Sequence, residues 1–217
     1  MTLDTLQLLF SSDPLETLKT ALRFVHFIGL ALGLGAATLL DLMMLRYCFR
    51  GRIQTETVTI FEFSTKVVNI GLRILWTSGV GFLLFYALYD VEKLYNPKVH
   101  AKLVIVTILS VNGMFIHGII LPTIRTQIGK GLFDGLGGMK RGIFITSGAI
   151  SAVSWYVPVA LGVFSQLNNA VPALVLLSAY LFLIMIAASV MNLCMHLIVS
   201  GRDKLPLKPV RTHHRET

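Results

Sequence analysis

Residues 171–200 read VPALVLLSAYLFLIMIAASVMNLCMHLIVS. No Asp, Glu, Lys or Arg interrupts this run. A helix needs about 20 mostly apolar residues to cross the hydrocarbon core of a bilayer. The run exceeds that length, and no soluble domain of ordinary composition has a place for it. Working outward, four more segments of the same kind appear, at about 22–47, 67–89, 103–124 and 143–167. None alternates polar and apolar residues, so a transmembrane barrel is excluded. The expected fold is all-α, an integral membrane bundle of five transmembrane helices. Residues 1–200 form one transmembrane domain and 201–217 a basic tail.

Composition agrees. Apolar residues make up 54% of the 217 and charged residues 14%, against about 25% charged in soluble domains. The net charge of +8 follows from topology rather than from nucleic-acid binding, because no soluble basic domain exists to carry that function. Thirteen of the 19 Lys and Arg flank the first and third connections or lie in the tail, and five lie on the other side. By the positive-inside rule the N-terminus is outside and the C-terminus cytoplasmic. The expected location is the inner membrane of a bacterium. The first 15 residues lack a basic n-region and do not resemble a cleaved signal peptide. Cys48 and Cys194 lack metal-site spacing and read as free thiols.

The connections are short. Within 48–66, residues 53–63 read as a short interfacial helix. Residues 125–141 hold five glycines but follow no strand, so they read as a flexible loop, not a phosphate-binding one. Residues 166–172 form a tight hairpin.

Polar residues inside spans are costly and face the bundle, so helical angle sorts them. In the first span His26 lies near the outer end and Asp41 near the inner end, about 22 Å apart at 1.5 Å per residue. Gly29 and Gly33 form a GxxxG, which serves close packing within the chain or with a second copy. In the second span Asn69, Arg73 and Trp76 share a face. In the third Ser110 and His117 share one face, with Asn112 and Thr123 opposite, and Pro122 ends the span. The fourth carries a stripe of Ser147, Ser151 and Ser154, read as tight packing. The fifth groups Asn192 and His196. Asp41 and Arg73 are expected at similar depth as an ion pair or, with Asn192, as part of a relay.

Three functions follow from these groups. The first is b-type haem, with His117 and His196 as imidazole or metal ligands from facing helices and Arg73 pairing a propionate. The second is passage of a proton, an ion or a small solute. Copper(I) is one such solute, with Met114, Met191, Met195 and Cys194 as soft ligands. The third is a structural subunit of a membrane complex.

The stretches RFVHFIGLALGLG (23–35), Trp76-Thr77-Ser78-Gly79 and NPKVHAKLVIV (96–106) resemble those of HemJ-like and CopD-like small polytopic membrane proteins. The likeness covers about residues 20–120. It implies haem-linked protoporphyrinogen oxidation or copper transport, with His26 and Lys102 as the functional pair. Residues 33–41, Asn112-Gly113 and Ser154-Trp155-Tyr156 are also similar to uncharacterised bacterial membrane proteins, a likeness that implies no activity.

Overall fold

The computed structural model describes residues 13–49 and 51–202. The expected tail lies outside the described residues from 203 onward. Five helices among the described residues are long and apolar enough to cross a membrane. We label them α1 (Pro14–Phe49), α2 (Thr55–Tyr89), α3 (Pro97–Thr126), α4 (Gly138–Val163) and α5 (Ala173–Arg202). The described chain contains no strand, only an isolated bridge between Ile53 and Ile128. Large apolar side chains such as Phe24, Leu84, Val111 and Leu193 stand exposed on the bundle's outside. That is the surface a bilayer solvates, since lipid is as apolar as the side chains themselves.

The helices overrun the apolar segments. Residues 55–63, expected as a separate interfacial helix, are the first turns of α2. No glycine or proline interrupts the segment, so nothing stops the backbone ladder. Pro122 likewise does not end the third span. It lacks the N–H that would bond the Gly118 carbonyl. The backbone accommodates this with a π turn at Ile116–Ile120 and then resumes as Leu121–Thr126.

α1 and α2 make the most extensive helix pair, and α4 touches α1, α3 and α5. The α1/α2 seam depends on glycine. A Cβ at Gly71 would stand 2.4 Å from the backbone nitrogen of Gly33. A Cβ at Gly33 would stand 2.3 Å from the Trp155 ring of α4. The GxxxG of α1 is therefore filled by its own chain. Ala37, Leu75, Leu109 and Trp155 complete this central layer.

The two ends of the bundle are built differently. At the end carrying Arg52, Arg125 and Lys130, the connections fold inward. Ile53 donates to the Lys130 carbonyl at 2.9 Å, and Gly129, at φ +82°, donates to the Ile53 carbonyl at 2.8 Å. Leu132 and Phe133 are buried against Phe61, Ile124 and Phe144. The glycine-rich segment expected as a flexible loop is thus a packed cap on the core. We call this the basic end. At the opposite end, two short 3-10 turns, Val91–Tyr95 and Ser165–Leu167, make the connections.

Candidate functional sites

Several polar residues meet across helices as their angles foretold. On the α2/α3 interface, Trp76 Nε1 donates to Ser110 Oγ at 2.9 Å, and Asn69 Nδ2 lies 2.5 Å from His117 Nε2. On the other face of α3, Asn112 Nδ2 donates to the Ser147 carbonyl at 3.0 Å. Ser147 Oγ returns a bond to Asn112 Oδ1 at 2.8 Å. Ser154 Oγ pairs with Tyr180 Oη at 2.8 Å. All three serines of the α4 stripe are buried.

Asp41 and Arg73 do not meet. Gly33 faces Gly71, which sets the register of the antiparallel pair. Asp41 lies eight residues towards the basic end from that contact and Arg73 two residues away from it, about 15 Å apart along the axis. Arg73 is exposed and, among the described residues, makes no ion pair. His196 and Asn192 are also exposed, and Asn192 donates only to Ala188 of its own helix. His196 therefore does not join His117 as a second imidazole. No group of three His, Cys, Asp or Glu side chains among the described residues is arranged to hold a metal ion.

What remains divides into two sites. Near the basic end a cavity of about 280 Å³ has Asp41, Asn69, His117, Thr65 and Cys48 on its wall. Ser147 and Ser151 also line it, and the rest of its lining is mostly apolar and includes Phe61, Phe133 and Phe144. The π turn of α3 lines this cavity and places His117 in it. Single π turns within helices concentrate at functional sites. Among the described residues, Asp41 has no hydrogen-bond or ion-pair partner.

The second site lies towards the opposite end. His26 Nδ1 is 2.8 Å from Ser78 Oγ, which gives its own proton to the Ile74 carbonyl at 2.7 Å. A hydroxyl has one proton; with that proton on the helix carbonyl, His26 donates from Nδ1 and its Nε2 keeps a lone pair, whereas the other tautomer would reverse the roles. Phe82 packs edge-on against the imidazole at 5.7 Å. Lys102 stands close enough to His26 for their charges to interact, and Lys98 close enough to Lys102. Lys98 is buried at 5% exposure and donates to the Phe164 carbonyl and to Asn168 Oδ1, both at 2.8 Å. It closes the C-terminal end of α4, where unpaired carbonyls concentrate partial negative charge. Its burial was not foreseen: a lysine at the start of a span reads as a surface anchor. The signal available was Asn168, across the hairpin between α4 and α5.

No known protein family, no curated protein and no solved structure matches this chain. The two sites therefore stand on their own chemistry.

Proposed function

We propose that this chain is a redox-linked membrane protein of the bacterial inner membrane that binds haem b through His26. The charge asymmetry of its loops supports an external N-terminus and a cytoplasmic basic end. The observation that carries the haem reading is the His26–Ser78–Ile74 chain of hydrogen bonds. With the Ser78 proton on the Ile74 carbonyl, it favours the imidazole tautomer that would hold a haem iron, Nδ1 donating and Nε2 free.

The donor set fits the group. The His26 imidazole would hold the iron, and the Lys102 ammonium would be a counter-charge for a propionate. Among the described residues, no carboxylate forms an ion pair with either residue. His117 does not suit the ligand role, because its Nε2 is taken up by Asn69. A bound haem would supply one-electron redox chemistry. Ser78 would hold the ring orientation, and Lys102 would favour the anionic edge of the ligand.

Optical spectroscopy of the detergent-purified protein tests this. A Soret band is expected after expression with haem supply. His26→Ala should abolish it, Lys102→Gln should weaken haem retention, and His117→Ala should leave it unchanged. Absence of the band, both as purified and after reconstitution with haem, sinks the reading. A reporter fused after Thr217 that is active only outside the cell would overturn the topology.

A further inference from the structure

We propose that the cavity near the basic end is a binding site for a small lipophilic organic cation, held by Asp41. This is independent of the haem reading, which concerns the other end of α1. A carboxylate inside a membrane span is costly unless something compensates its charge. Asp41 has no such partner among the described residues, and the arginine expected to pair with it lies about 15 Å away along the axis. A cationic ligand seated in the cavity would compensate that charge.

The walls specify its character. Phe61 and Phe144 line the cavity, and aromatic rings attract quaternary and ammonium groups; Phe133, also on the wall, already has Arg141 over its ring. Leu40 and Val68 supply further apolar lining. A hydrated inorganic cation would find a single carboxylate here and few other oxygens, whereas divalent metals of the hard class take six or more. A volume of about 280 Å³ lies at the small end of the range for organic ligand pockets. The Asn69–His117 pair sits about 9 Å from Asp41 along the axis, counted from the Gly33–Gly71 contact. A ligand with a polar group opposite its cationic head could reach both ends.

Access is lateral. Leu42 lines the cavity and is also exposed at 59% on the lipid-facing surface of α1. A lipophilic cation dissolved in the bilayer reaches the site there without crossing the packed cap.

The test uses the full chain in nanodiscs of zwitterionic lipid, with benzyltrimethylammonium as probe and empty discs as reference, read by equilibrium dialysis. Saturable binding above the empty discs is expected. Asp41→Asn should weaken it about tenfold or more, a loss of about 1.4 kcal/mol, while Asp41→Glu retains it. Gly148 lines the cavity with open space beside its Cα, so Gly148→Leu should fill the site and abolish binding. Neopentylbenzene, the neutral carbon isostere, should not distinguish wild type from Asp41→Asn. Uptake equal to empty discs, or equal affinity of the wild type and a folded Asp41→Asn variant, overturns the proposal. Thermal unfolding of each variant identifies any that fails to fold, and Asp41→Glu and Gly148→Leu keep the test decisive if Asp41→Asn does.

Discussion

The two ends of the bundle treat charge in opposite ways. At the end with 3-10 connections, a buried lysine is engaged by two acceptors: Lys98 holds the Phe164 carbonyl just past α4 and the side chain of Asn168. At the basic end, the carboxylate of Asp41 is engaged by nothing among the described residues, although the loops there are rich in cations. Arg125 pairs instead with Glu62 on the surface. A buried charge that is satisfied holds a fold together, and one left unsatisfied is a cost that the fold bears elsewhere. The difference separates a paired charge from an unpaired one, and each member can be removed by a single substitution.

The largest effect should come from the seam that joins the ends. Gly71→Leu places a side chain against the backbone of Gly33, which cannot move aside without parting α1 from α2. Overpacking of this kind costs about 3 kcal/mol or more. Scanning calorimetry in nanodiscs should show a clear drop in Tm, and both haem retention and cation binding should fall together, because α1 carries His26 and Asp41. Gly79→Leu is the control, since a Cβ there meets open space. Equal Tm values for the two variants would mean that the seam does not set the register.

Next comes the contrast between the charges. Lys98→Met removes two hydrogen bonds from an ammonium and strands the Phe164 carbonyl. The loss should be about 3 kcal/mol, from the usual worth of bonds to charged groups. Asp41→Asn removes a charge with no partner and should leave stability unchanged or raise it by about 1 kcal/mol. If Asp41→Asn destabilises the protein as much as Lys98→Met does, the carboxylate is a structural member and the contrast collapses.

Much of this was legible from sequence because it depends on one helix at a time. Apolar length located all five helices. Helical angle placed Ser110 and His117 on one face of α3 and Asn112 on the opposite one, and the structure finds these faces bonded to α2 and α4 respectively. What one helix cannot reveal is its offset against the next. Asp41 and Arg73 were expected at one depth because each was measured from its own basic flank. The Gly33–Gly71 contact fixes the true offset, and only packing shows which glycine meets which. His196 failed similarly: its angle groups it with Asn192, but nothing in α5 alone says that this face points outward. The cap at 127–137 was missed because its glycines read as freedom, whereas Leu132 and Phe133 between them are the buried residues.

The smallest effect is expected where a charged pair lies on the surface beside the buried lysine. Lys93 and Asp90 pair in the connection after α2, and both side chains are partly exposed. The hydrogen bond that Lys93 donates to Asp90 raises the Lys93 pKa above its ordinary value of 10.5, against an opposing effect of burial. A raised folded pKa means that the pair's contribution is fully present below the unfolded value and lost as pH rises through the folded one. Stability should therefore show no dependence on this pair between pH 6 and 9, and a loss only in strong alkali. Exposed pairs contribute about 0.2–1 kcal/mol and are screened by salt. Asp90→Asn should accordingly change Tm at neutral pH far less than Lys98→Met does, and the small change should vanish in high salt. A salt-independent loss comparable to that of Lys98→Met would show that exposure does not separate the two lysines.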